Sequence, residues 1–170
     1  MSKKRKKTTP DRKSAAAGWG RAGAAARTVI GLVFLVSGPQ KVMKPAEEFA
    51  VVIEAYHIVS AKLALAMAQI IPPVEMLLAL ALIGGFAPRP AAAATGGFLL
   101  LFIGALGSTL LRGIPLESCG CFGSIHLTPL EAITLDMTLL CLAYLAYRHG
   151  GALAPIESWI QKGKEDSGHA

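Results

Sequence analysis

The sequence predicts an all-α, polytopic membrane protein built as a four-helix transmembrane bundle. Three observations predict it. Four apolar segments of 19 to 24 residues each satisfy the roughly 17–25 residues that a helix needs to cross a bilayer. The chain of 170 residues is 53% hydrophobic and 16% charged, with a mean hydropathy of +0.50, whereas a soluble domain carries about 25% charged residues. The basic residues are segregated: nine of the 17 precede the main apolar run, and such segregation of Lys and Arg orients membrane proteins. The same segregation argues against a nucleic-acid partner, because the formal charge of +6 resides largely in a tail. No face interleaves basic and aromatic residues.

Residues 1–21, "MSKKRKKTTPDRKSAAAGWGR", lack apolar periodicity and are expected to form a disordered basic cytoplasmic arm. The first span runs from Ala24 to Val42. Its "TVIGLVFLV" is followed by "SGPQKVMKP", without a small-x-small cleavage site, so it is read as an anchor and not as a removed signal. Arg27 and Lys41 lie near its ends and are expected to snorkel toward the head groups. Ser37 and Gly38 allow close helix approach, and Lys41 has two acidic partners within reach of the topology, Glu54 and Glu75.

In residues 43–62, Phe49, Val52, Ile53 and Tyr56 recur at helical spacing while Glu47, Glu48 and Glu54 lie elsewhere. This predicts a short amphipathic helix on the outer surface. The second span, Leu63 to Phe86, contains Gln69, Pro72, Pro73 and Glu75. Pro73 is expected to kink the helix and free a carbonyl. Glu75 is costly in lipid unless it faces the bundle interior; it is read first as a buried polar clamp between helices, with a proton- or quinone-linked site as the functional alternative.

"GGFAPRP", with Gly84, Gly85, Pro88 and Pro90, forces a tight turn into the third span, Ala91 to Leu111. The fourth span, Pro129 to Tyr147, carries Asp136, an acid expected to face inward, and Cys141, expected to be a small apolar core residue. Residues 149–170 form a polar tail, leaving 22–148 as the membrane domain. With the N-terminus cytoplasmic, thirteen of the 17 basic residues fall on the inner side. Both termini are then cytoplasmic, in a bacterial inner membrane, and the loop after the third span faces the periplasm or cell exterior.

That loop, "GIPLESCGCFGSIHLTP" from residue 113 to 129, carries the chemistry. Alternate residues of an extended chain lie about 7 Å apart, beyond the roughly 4.4–6.8 Å of disulfide-linked α-carbons. A bond between Cys119 and Cys121 therefore needs a bent backbone, which Gly120 permits. So small a ring is strained and exposed, which suits a disulfide that is exchanged more than one that staples a fold. A non-cytoplasmic loop also lets cysteine pairs persist as disulfides. Two other readings stay open. The pair is a structural turn, or, with His126, it begins a Cu(I) or Zn(II) site that still lacks an evident fourth ligand. An imidazolium at His126 or the guanidinium of Arg112 would favour a thiolate, although both also suit plain interfacial roles. No phosphate-binding loop, dinucleotide fingerprint, zinc-protease helix or nucleophile elbow occurs.

The stretches "FLVSGPQKVMKPAEEFAVVIEAYHI", "IIPPVEMLLALALI" and "LLRGIPLESCGCFG" together resemble the methylamine utilisation protein MauE family, within the broader DoxX-like four-helix membrane proteins. The resemblance covers roughly residues 25–147. The matching positions include Ser37, Gly38, Lys41, Pro45, Phe49, Tyr56, Pro73, Glu75, Arg112, Gly113, Cys119, Gly120, Cys121, Phe122 and Gly123. It implies a four-helix bundle with periplasmic cysteines that supports maturation of, or electron transfer to, disulfide-containing periplasmic partners. The expected function is therefore that of a membrane thiol–disulfide oxidoreductase exchanging with a periplasmic thioredoxin-like protein or substrate through Cys119 and Cys121. If electrons pass onward, a quinone near Pro73 and Glu75 would be the acceptor. A non-catalytic assembly subunit docking through residues 43–62, and a metal-handling membrane protein, are the alternatives.

Overall fold

The computed structural model describes residues 10–114 and 128–150, with side chains from Gly18 onward. All regular structure among them is helical: α1 Pro10–Val42, α2 Ala46–Glu54, α3 Ala61–Gly84, α4 Pro88–Leu111 and α5 Pro129–His149. In α1, α3, α4 and α5, the segments Gly18–Val42, Ala61–Gly84, Pro88–Leu111 and Pro129–His149 are long and apolar enough to cross a membrane. Their outward faces carry large apolar side chains, among them Leu32, Val36, Ile70, Leu77, Leu80, Leu101 and Tyr144. An apolar girdle of that extent needs lipid as its solvent.

The fourfold span pattern holds, but α1 starts earlier than expected. Residues 10–21, expected to lie in a disordered arm, continue the helix from Pro10. Pro is well placed at a helix start, and the run Ser14-Ala15-Ala16-Ala17 has high helix propensity without needing apolar periodicity.

Buried positions in α1 recur three and four residues apart, from Gly23 through Ala26, Arg27, Ile30, Gly31, Phe34, Ser37 and Gly38 to Lys41. This stripe lets α1 pack mainly against α3 and α5, while α4 packs mainly on α5 and α2 on α3. The four long helices therefore follow the spatial order α3, α1, α5, α4. The last two neighbours, α4 and α3, touch far less. Ile30, Phe34, Ala79, Leu82, Leu99, Leu139 and Ala143 fill the central core.

Small residues set the close approaches. A Cβ on Gly31 would stand 2.5 Å from Ile83 Cγ1, and one on Gly23 would stand 2.6 Å from the His149 carbonyl carbon. The turn between α3 and α4 takes three residues, 85–87, and Gly85 caps α3 at φ +68°, a left-handed conformation that suits glycine. Arg27, expected to snorkel, is instead 4% exposed and donates from Nη1 to the Gly150 carbonyl at 3.2 Å. The carbonyl at the end of α5 supplies inside the bundle what head groups would supply outside it. Near this end Trp19 stacks on His149, with ring centroids 5.3 Å apart.

Candidate functional site

Two sets of predicted residues meet in the structure: a buried polar cluster between the long helices, and a collar at the end of the bundle that carries α2.

The cluster forms where α1, α3 and α5 converge. Lys41 Nζ lies 2.6 Å from Glu75 Oε1 and donates to Ser37 Oγ at 3.1 Å. Ser37 Oγ donates in turn to Glu75 Oε2 at 3.2 Å. The two charged side chains are 2% and 4% exposed. Of the two partners open to Lys41, the structure therefore selects Glu75, and Lys41 turns inward instead of snorkelling. The reason is local. Ser37 stands one turn before Lys41 on the same helix face, and an unpaired Glu75 would carry a heavy desolvation cost. The expectation of Glu75 as an interhelical clamp holds.

Aromatic rings complete the enclosure. Lys41 Nζ stands 5.4 Å from the centroid of Phe49 and 5.7 Å from that of Phe102, within range of cation–π attraction. The sequence marks Ser37 for close packing and as a family-matching position but not as a partner of the ion pair, and it gives Phe102 no mark. The i to i+4 spacing of Ser37 and Lys41 was the available signal for the first. Nothing distinguishes Phe102 from other phenylalanines of an apolar span.

Asp136 faces inward as expected and is 6% exposed. It shares with Ser37, Lys41, Glu75 and Phe102 the lining of a cavity of about 30 Å³, room for a water molecule or two and too little for a quinone ring. Beyond Phe102 lies an apolar cavity of about 160 Å³ between α3 and α4, roofed by Ile53, Tyr56, Ile58 and Val59. Pro72 and Pro73 lie within an uninterrupted α3, Pro72 buried and Pro73 exposed.

The collar is built by Arg112 at the end of α4. Its Nη1 and Nη2 donate to the His57 carbonyl at 3.3 and 3.2 Å, and Nη1 also reaches the Tyr56 carbonyl at 3.4 Å. His57 adopts a left-handed φ of +51°, uncommon for a residue with a side chain, so its carbonyl is offered from a tightly turned backbone. Phe49 and Ile53 of α2 and Tyr56 just past its end are buried, in line with the expected apolar face of that segment. Across the intervening loop, α5 opens with a capping box. Thr128 Oγ1 accepts from the Glu131 N–H at 3.4 Å, and Glu131 Oε2 accepts from the Thr128 N–H at 2.9 Å.

Cys119, Gly120, Cys121 and His126 lie outside the described residues, so both flanks of their loop are defined but the cysteines are not. Cys141 is placed, and it corrects an expectation: it is exposed on the outer surface of α5, not in the core. Ala132, Asp136, Leu139, Ala143 and Ala146 occupy the buried stripe of that helix, and position 141 falls off its three- and four-residue spacing.

A family model described as methylamine utilisation protein MauE matches residues 20–148. The methylamine utilization protein MauE of Paracoccus denitrificans is 32% identical over 123 residues, covering 70% of this chain and 66% of that protein. The chain thus spans just under two thirds of the length of that relative. No solved structure matches. The polar cluster and all but the outermost residues of the four spans lie within the matched region, and the chain belongs to the methylamine utilisation protein MauE family.

Proposed function

We propose that this chain is an integral membrane thiol–disulfide redox protein that supports the maturation of disulfide-containing proteins outside the cytoplasm. Cys119 and Cys121 are its working pair. A thiolate of the reduced pair attacks a disulfide of a thioredoxin-like partner, giving a mixed disulfide and a partner thiolate. The second cysteine then displaces the partner, which leaves as a dithiol while the Cys119–Cys121 disulfide forms. In the opposite direction the same steps deliver a disulfide to a client.

The observation that carries this reading is the Cys-Gly-Cys sequence set between two pinned stems. Arg112 ties the end of α4 to the carbonyls of Tyr56 and His57, and the Thr128–Glu131 box fixes the start of α5. Both stems lie at one end of the bundle and flank the Cys-Gly-Cys sequence. The charge distribution supports an inner-membrane placement with cytoplasmic termini and the loop on the periplasmic or outer side. The name of the Paracoccus denitrificans relative supports methylamine utilisation as the pathway served.

The test is the thiol state of Cys119 and Cys121 in cells, trapped by acid and read by mass-tagged alkylation in a Cys141→Ala background. A mixed population that shifts when the extracytoplasmic oxidant is removed is expected. A pair that stays oxidised under every condition overturns the exchange reading and leaves a structural turn.

A further inference from the structure

We propose that Asp136 carries a proton and, with water in the adjoining cavity, forms a proton-binding site inside the bundle. This inference does not depend on the cysteine loop.

The charges around the cavity do not balance if every acid is ionised. Lys41 from α1 brings one positive charge, and Glu75 from α3 brings one negative charge at 2.6 Å. Both Glu75 oxygens already accept hydrogen bonds, Oε1 from Lys41 and Oε2 from Ser37. That pair is complete. Asp136 on α5 is then a second acid with no cation of its own among the described residues, and α4 contributes to the cavity wall Leu99 and Phe102, which carry no charge. Asp136 is 6% exposed, and its Oδ2 is buried without a hydrogen-bond partner among the described residues.

A buried carboxylate without a partner is costly, and the usual resolution in a low-dielectric interior is to neutralise it. Two ligands would do so, a metal cation or a proton. A metal cation would enter a cavity lined by the Lys41 ammonium and find few uncommitted oxygens, whereas hard cations gather about six. A proton needs one oxygen. The resulting O–H needs an acceptor, and the cavity of about 30 Å³ exceeds the roughly 10–15 Å³ that admits one water. Water there would accept from Asp136 and meet the ammonium of Lys41, which holds one more N–H than its two bonds to Glu75 and Ser37 use.

Infrared spectroscopy of the full chain in lipid vesicles tests this. The chain has three aspartates, Asp11, Asp136 and Asp166, and of these Asp136 lies within one of the four spans while the other two do not. Protein carrying side-chain ¹³C-aspartate should show, at neutral pH, an isotope-shifted carboxylic acid C=O band that moves again in D₂O. Asp136→Asn should remove that band. If labelled aspartate appears only as carboxylate, the proposal is overturned. An acid band that instead responds to ¹³C-glutamate and disappears in Glu75→Gln moves the proton to Glu75 and also overturns it. An aspartic acid band that does not shift in D₂O overturns the water-linked site.

Discussion

Lys41 and Glu75 are joined at 2.6 Å across the α1–α3 interface, with side chains 2% and 4% exposed. Both side chains are closed off from the outer surface of the bundle. The pair is therefore held by its own attraction, by Ser37, and by the rings of Phe49 and Phe102.

Removing one partner of a buried pair strands the other charge, at a cost of about 3–5 kcal/mol. Lys41→Met should lower the thermal midpoint in detergent sharply, and Glu75→Met should do the same. The double variant should recover most of the loss, because two apolar side chains replace two charges. A double variant no more stable than the singles would mean that the pair is not a clamp.

Two glycines of α1 and Gly97 of α4 should respond according to what faces them. Gly23→Ala drives a methyl against backbone atoms of His149 and Gly150 at 2.6–2.7 Å, and should cost about 1–3 kcal/mol as the helices shift. Gly38→Ala meets chiefly Met76 Cγ at 2.8 Å, a flexible side chain that can give way, so its cost should be smaller. Gly97→Ala, with nothing within 4 Å, should leave the unfolding midpoint unchanged or raise it. An equal response at all three sites would contradict the packing of α1.

Arg112→Ala should remove the guanidinium from the carbonyls of Tyr56 and His57. Amide exchange over residues 54–58 should accelerate, while exchange within α3 and α5 stays as it was. Arg112→Lys should restore protection only in part, since an ammonium lacks the forked guanidinium geometry that brings two N–H groups to the His57 carbonyl.

Cys141 lies on the outer face of α5. A lipid-soluble maleimide should label it in folded protein, and Cys141→Ala should change stability by less than about 0.5 kcal/mol. Protection from the label until the protein unfolds would place it in a buried contact.

The spans were legible because crossing hydrocarbon imposes length and apolarity on a helix, and four segments met both. Glu75 and Asp136 were legible as inward-facing for a related reason: lipid leaves an acid no comfortable alternative. Lys41 and Arg27 were misread as snorkelling because a basic residue near a span end has two solutions, outward to head groups or inward to an acceptor. Choosing between them requires knowing that Glu75 and the Gly150 carbonyl stand opposite. The helical start at Pro10 was hidden by charge, which obscures apolar periodicity without opposing an alanine-rich helix. Cys141 was misplaced because a small apolar residue is equally at home in core and lipid. The pairing of Arg112 with two carbonyls could not be read at all, since backbone acceptors have no signature in sequence.

Phe102 lines both the cavity that holds the ion pair and the apolar cavity between α3 and α4, whose wall includes the exposed Leu101. One phenyl ring, braced edge-on by Phe98 at 5.0 Å, thus serves as insulation between a charged chamber and the surrounding oil. Its removal would thin the wall between the two chambers and leave Phe49 as the ring facing the ammonium of Lys41. The electrical character of this interior is set as much by an uncharged ring as by the charges it encloses.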